Sequence, residues 1–446
     1  EVQDEGVVSE VPLGFKNVSS FLTLGVKYQK TFENGGEFAT TISRSSKDSL
    51  HTYSGIRFED LKETSYYLRS HYSQTFGEHN VKVGYNFRSI KADFKFDTQF
   101  GLCNNFDSWC VYTRFFAGER KRTFNQSELY LKDVFTIGSN VQLDLGLQLS
   151  KDHTLDQTFL EPRVGVYWNV THNTQVYARA GKHHQVPPRR EMLLFTPPVN
   201  STSNVDRAKD QRNEKAQHAF VGFKYDISEK WYVQTEAYYK DIFTSSNLNT
   251  GLARQIDGEA YGLDFLLAKK DLGEGLYGWL AVSYGKTNRT DKETGEKVNY
   301  RYDTPLSATL ALNYNFGGGW NFGTKLRVQS GDTYTPVDSI ELRPRLDPDV
   351  PNSIANRYNY TFGEPNSLRS PTYSRLDVRL EKQSEYSFGS VTYYVDIVNA
   401  LGRENESGRN FPARLITGDE VNGFQVHPET DTNIPFFAAF GVNIAF

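Results

Sequence analysis

From one end to the other, this chain alternates apolar with polar residues. In VQLDLGLQLS, Val141, Leu143, Leu145, Leu147 and Leu149 alternate with Gln142, Asp144, Gly146, Gln148 and Ser150. WYVQTEAYYK sets Trp231, Val233, Ala237 and Tyr239 against Tyr232, Gln234, Glu236 and Lys240, and NFGTKLRVQS sets Phe322, Leu326 and Val328 against Lys325, Arg327 and Gln329. A period of two sends successive side chains to opposite faces of an extended strand, so each segment has one apolar face and one wet face. These segments run to ten residues or more, beyond the roughly 5–6 of an ordinary soluble strand and suited to the roughly 9–11 of a tilted membrane strand. The chain closes on the same pattern in FFAAFGVNIAF, with Phe436, Ala438, Phe440, Val442, Ile444 and Phe446 on one face. A soluble domain would need a core to cover that face. In a transmembrane barrel the bilayer covers it, and the last aromatic residue sits at the interface.

The connections sort into two alternating kinds. Tight polar turns fall at ENGG (33–36), GEHN (77–80), GSN (138–140), THN (171–173), SEK (228–230), DLGEG (271–275), GGG (317–319) and EYSFG (385–389), and between them lie longer loops, notably 99–122, 187–213, 332–372 and 403–434. Short turns at one end and long loops at the other predict an all-β fold, a transmembrane antiparallel β-barrel with periplasmic turns and extracellular loops. Counting strands between turns predicts about 17, beginning near Phe21, with residues 1–20 as an extracellular loop segment and 21–446 as strands and loops. Charges on the inward beat, such as Glu236, Lys325 and Arg327, require a wide lumen.

Composition removes the competing classes. No run approaches the roughly 18 consecutive apolar residues of a spanning helix, and 27 Tyr with 31 Phe are too many for a disordered chain. A formal charge of -4 with the two signs interleaved gives no nucleic-acid footprint. The two cysteines, Cys103 and Cys110 in GLCNNFDSWC, lack His partners at zinc spacing and read as a short-range disulfide rather than two free thiols.

Several stretches then resemble one family. RSPTYSRLDVRLEK (369–382), VTYYVDIVNALGREN (391–405) and the closing strand are similar to the end of TonB-dependent outer-membrane receptors, where an R-x-P-x-Y-x-R-L-D strand and a D-x-x-N-x-x-x-R-x-N strand precede the last one. Upstream, KAQHAFVGFKY, TEAYYKDIF and DGEAYGLDFLLAKK follow the family's order of strands. The resemblance implies a bacterial outer-membrane barrel of about 22 strands filled by an N-terminal plug domain. It implies active import of a scarce nutrient: an iron–siderophore or other chelate, a cobalamin, an oligosaccharide or a peptide. It also implies partnership with the TonB energy-transducing complex through the plug, and contact with outer-membrane lipid and lipopolysaccharide. The sequence departs from the family in showing neither plug nor TonB box. The odd strand count suggests the C-terminal portion of a receptor, with the plug and about five strands supplied from elsewhere.

Nothing in the chain reads as enzymatic: there is no nucleophile elbow, phosphate loop or H-E-x-x-H motif, and no cofactor or metal site is expected. The work is expected to be binding, on long loops and the upper lumen. In GKHHQVPPRREM, His183 and His184 end an upward strand, and Arg189 and Arg190 open a loop where they can pair with carboxylates or an anionic chelate. Adjacent histidines on a strand point to opposite faces, so rim structure competes with ligand contact. Arg343, Arg345, Arg357, Tyr358 and Tyr360 offer cationic and stacking surfaces on loop 332–372, and Trp109 beside Cys110 either caps a ligand-gripping loop or packs the disulfide hairpin. Arg375, Asp377, Arg379, Glu381 and Asp396 read as lumen residues facing a plug. Two rival functions remain: a passive diffusion channel, and an adhesin or recognition barrel.

Overall fold

The computed structural model describes residues 15–53, 57–103, 110–189, 192–193, 196, 213–246, 255–270, 275–292, 294–342, 358–410, 416–419, 423–426, 429–432 and 434–445. The first twelve strands are β1 (Phe15–Thr31), β2 (Glu37–Tyr53), β3 (Arg57–Phe76), β4 (His79–Cys103), β5 (Cys110–Ile137), β6 (Val141–Asp152), β7 (Gln157–Thr171), β8 (Thr174–Gln185), β9 (Glu214–Asp226), β10 (Trp231–Ser246), β11 (Gln255–Lys269) and β12 (Gly275–Asp291). Five long strands follow: Leu306–Gly317, Trp320–Gln329, Tyr373–Tyr386, Gly389–Val398 and Phe437–Ala445. Each pairs antiparallel with the next in chain order, in one 18-stranded sheet whose remaining member is the three-residue strand Lys297–Asn299. The expected antiparallel architecture is therefore the observed one, with seventeen long strands. At the end with tight turns, neighbours in sequence become neighbours in space because the connections are too short for anything else, and the remaining pairs meet across longer loops.

The alternation sorts the two faces as its period requires. Leu145, Leu147 and Leu149 stand outward at 41–45 % exposure, while Gly146, Gln148 and Ser150 between them are more covered. On the last strand Phe440, Val442 and Ile444 are likewise exposed on the outer face. Exposed apolar side chains recur on nearly every strand, far more than water tolerates as one contiguous surface.

Close packing on the inner face relies on cross-strand pairs of tyrosine and glycine. Tyr177 of β8 lies directly opposite Gly222 of β9, and Tyr130 of β5 opposite Gly84 of β4. In each pair the ring covers the glycine so closely that an added Cβ would meet the ring at 2.3 Å.

Two expectations need correction. The first strand begins at Phe15, not near Phe21, because the polar stretch FKNVSS continues the ladder with β2 up to Phe15↔Tyr53. Residues 99–122 are not mainly loop: β4 runs 25 residues to Cys103 and β5 starts at Cys110 and runs 28. Backbone pairing sustains these strands where the outward apolar pattern has lapsed. In β4 the lower outward positions are Val83, Tyr85 and Phe87, whereas the upper ones are Lys91, Asp93 and Lys95. Over the same stretch the inward positions change from Asn86 and Arg88 to the buried Ile90, Ala92, Phe94 and Phe96. Polarity inverts where the wall leaves one surrounding medium for another. Loops 332–372 and 403–434 likewise contain hairpins, Val337–Leu342 with Tyr358–Phe362, and Ile416–Asp419 with Gly423–Val426, and these two contact each other.

Candidate functional site

The inner wall of β3 to β10 gathers a set of interacting polar groups that runs from Glu63 and Arg122, high on β3 and β5, down to Lys132, Asp144, Arg179 and Glu236, a few residues above the short turns. Register places Glu63 of β3, Arg122 of β5, Glu161 and Arg163 of β7, Arg179 of β8, Phe220 of β9 and Glu236 of β10 on the inner face. Arg179 pairs with Glu236 and lies 5.0 Å from the centre of the Phe220 ring. Lys132 meets Asp144 at 2.9 Å. Below Glu161 and His183, a recess of about 400 Å³ is lined by Tyr130, Lys132, Asp144, Gln148, Arg163 and Arg179 among others. Both signs of charge face this space, so it suits a polar, multiply hydrogen-bonding occupant better than an apolar one.

The loop after β8 folds inward over this wall. Arg189 donates from Nε to Glu63 Oε1 at 2.7 Å and from a terminal nitrogen to Oε2 at 3.4 Å. Glu63 is buried while the Arg189 side chain is 37 % exposed, so this two-point pair is desolvated on its carboxylate side only. Arg122 donates to Thr196 Oγ1 at 3.2 Å. Between those tethers Met192 and Leu193, 2 % and 0 % exposed, join Ile90, Ala92, Phe94, Phe96, Phe124 and Leu155 in one apolar cluster. Burying two such side chains contributes roughly 1.5–3 kcal/mol each. That offsets the ordering entropy of only a few residues, at about 1–2 kcal/mol each, so the Arg189 and Arg122 tethers are needed as well.

The two expected histidines both reach inner-face groups, which the opposite-face rule allows only where regular pairing has lapsed. Pairing of β7 with β8 stops at Arg163↔Gly181, and beyond it β8 is held only by β9. His184 there donates its backbone N–H to Glu161 Oε1 at 2.8 Å, brings Nδ1 within 2.9 Å of that oxygen, and stacks on Phe159 at 4.3 Å. His183 lies 4.6 Å from the ring of His218. Among the described residues no three His, Cys, Asp or Glu side chains converge as metal ligands.

Arg375, Asp377, Arg379, Glu381 and Asp396 occupy inner positions of the strands Tyr373–Tyr386 and Gly389–Val398. They already engage one another. Arg375 donates to Asp377 at 2.7 Å, Arg379 to Glu381 at 2.9 Å and to Asp396 at 3.0 Å, and Asp377 also accepts the Asn399 N–H at 3.0 Å. Tyr360 sits in the loop hairpin opposite Ile340, beside Phe362, and the backbone of Tyr358 pairs with Leu342. Arg190, Trp109, Arg343, Arg345 and Arg357 lie outside the described residues. Cys103 and Cys110 are paired directly across the ladder of β4 and β5.

Sequence reasoning missed Glu63, Glu161, Arg163, Arg179 and Glu236 as a group. Each is an ordinary inward charge in its own strand, and only the sheet's curvature and register collect them. The buried Phe94 and Phe96 did leave a signal: between VGYNF and SIKADFKFD the apolar beat moves from Val83, Tyr85 and Phe87 to Ile90, Ala92, Phe94 and Phe96.

Comparison with known proteins gives this geometry a place. No curated protein matches the sequence. Among solved structures, the ferripyoverdine receptor of the outer membrane of Pseudomonas aeruginosa, bound to ferripyoverdine, superposes with a TM-score of 0.64 at 13 % identity, covering 95 % of this chain and 56 % of its own. The unliganded ferric citrate transporter FecA gives 0.62 at 14 % identity, with 96 % and 61 % covered. The outer membrane transporter YddB from Escherichia coli gives 0.61 at 12 %, with 97 % and 63 % covered. The chain thus spans less than two thirds of the length of these structures, and at such identity they establish the fold alone. The family model for the TonB dependent receptor-like beta-barrel matches residues 11–400. That match covers most of the chain, and the protein belongs to the TonB-dependent receptor-like β-barrel family, a family of receptors and transporters rather than enzymes.

Proposed function

We propose that the chain forms the greater part of the barrel of an outer-membrane, TonB-dependent importer of a scarce solute. The observation that carries this reading is the inner wall: paired charges, a polar recess and an inward-folded loop, inside a sheet whose outer face is apolar. A solute bound at the mouth would meet the loop tethered by Arg189 first and the recess farther down the lumen. Ferripyoverdine and ferric citrate, handled by two similar structures, make a metal chelate the leading substrate class. His183, His184 and Arg189 would act there as supports of the rim, since each is already engaged.

The sheet itself asks for completion. Sixteen successive antiparallel pairings make β1 and Phe437–Ala445 run in the same direction, and among the described residues no pairing joins them. An antiparallel barrel then closes only when an odd number of further strands pairs with both edges, consistent with the roughly five of a 22-stranded barrel. Unpaired edges in lipid would cost several kcal/mol per unsatisfied group. A plug domain, driven by the TonB complex, would occupy the lumen and contact the Arg375 to Asp396 ladder.

The test is energised uptake. Cells expressing the full-length gene should accumulate a candidate ferric chelate only while the inner-membrane complex is intact. Accumulation that survives loss of that complex, with open-channel conductance in planar bilayers, would replace this reading by the passive channel. Surface binding without accumulation would favour the recognition barrel.

A further inference from the structure

On the outer face of β2 to β5, cations divide into two groups according to what lies beside them in register. Those farther up the wall have carboxylates as neighbours. Lys62 lies opposite Asp48 and Asp93, Lys95 opposite Asp60 and Glu119, and Lys121 opposite Asp93. Lys121 meets Asp93 at 3.2 Å and Glu119 at 2.6 Å. Two cations lower down differ. Arg44 of β2 has Leu24 and Tyr66 as register partners, and Lys91 of β4 has Thr64 and Thr123. Both are exposed, and among the described residues neither has an ion-pair partner.

Their position is where the polarity of the wall inverts. Immediately below Arg44 on the same face is Ile42, and its register partners are Val26 and Leu68; below Lys91 come Ser89 and then Phe87. The surface between the two cations carries the hydroxyls of Ser46, Thr64, Tyr66 and Ser89. Across two strand spacings and a short axial offset, their Cα atoms are on the order of 10 Å apart, within joint reach of two long side chains. A shelf of hydroxyl donors flanked by two uncompensated cations, directly above an apolar belt, matches a phosphate group joined to hydrocarbon chains.

We propose that Arg44, Lys91 and the hydroxyl shelf between them form a site for the phosphate-bearing headgroup of an outer-leaflet lipid. The apolar belt selects the lipid over a free anion, because the acyl chains continue onto Ile42, Leu68 and Phe87 while the phosphate is held above. The proposal rests on the membrane-spanning reading of the sheet.

The experiment uses the full-length protein in detergent, offered phosphatidic acid and phosphatidylcholine together, with retained lipid counted by native mass spectrometry. Wild-type protein should retain phosphatidic acid preferentially. R44Q/K91Q should weaken that preference, on the order of fivefold per cation removed, while K62Q/K95Q, with the same change in charge, should leave it intact. If the double variant does not fold, R44Q and K91Q singly should each show the fivefold loss. Equal loss in both pairs, no loss in either, or displacement of the lipid by inorganic phosphate at matched concentration would overturn the site. Retention of neither lipid by wild-type protein would likewise overturn the site, whereas failure of that protein to insert into lipid vesicles would overturn the membrane-spanning reading.

Discussion

Replacing Gly222 by alanine tests how the inner wall is packed. The new Cβ would stand 2.3 Å from Cζ of Tyr177 and 2.4 Å from its hydroxyl, so the ring must leave its place. That ring is only 6 % exposed, and its hydroxyl accepts a hydrogen bond from Gln234 Nε2 at 3.0 Å. Overpacking of this kind costs about 1–3 kcal/mol, and the lost hydrogen bond adds about 0.5–1.5 kcal/mol. Gly222→Ala should therefore destabilise by about 2–4 kcal/mol. Gly146→Ala is the control on the same inner face, since its Cβ would find nothing nearer than 3.6 Å, and it should be nearly neutral. Equilibrium guanidinium unfolding of the full-length protein in lipid vesicles measures each change. In a Tyr177→Ala background the clash vanishes, so a coupling of at least about 1 kcal/mol is expected between the two sites. A Gly222→Ala variant as stable as Gly146→Ala, or one that Tyr177→Ala fails to relieve, would refute the packing argument.

Four further outcomes follow from the upper wall and loops. Leu193→Ala should loosen the inward-folded loop by about 2–4 kcal/mol, seen as faster proteolytic nicking near residue 193 while the barrel stays intact. Arg369→Ala leaves the buried Asp303 without its 2.7 Å partner, and should cost about 3–5 kcal/mol of local stability, read as increased hydrogen exchange over residues 298–305. Burial raises the Asp332 carboxyl above its ordinary value, against the pull of Arg301 and Arg369, so its contribution is greatest below the unfolded pKa and is lost as pH rises through the folded one. Asp332→Asn should flatten that dependence, protecting the loop base more at pH about 8 than at about 4. We also expect Cys103 and Cys110 to form a disulfide worth on the order of 2 kcal/mol; labelling of both thiols in unreduced folded protein would exclude it.

Much of the architecture was legible in the residues themselves. Period-two alternation is local, so VQLDLGLQLS alone decides that Leu145 and Leu149 share the outer face, and the polar turns alone decide which strands are antiparallel neighbours. Those readings hold because a strand's side-chain direction depends on nothing beyond the backbone. Reading 99–122 as loop failed for a complementary reason. Above the belt no bilayer demands an outward apolar beat, and what keeps β4 and β5 extended is each other's backbone. The site is less local still. Tyr177 needs Gly222 from the next strand, Glu63 needs Arg189 from a loop that begins five strands away, and His184 reaches Glu161 only because β8 parts from β7 after Gly181. The sequence by itself determined which face each side chain serves. Only the tertiary structure decided which inward charges meet, because pairing register and loop docking are properties of distant segments brought together.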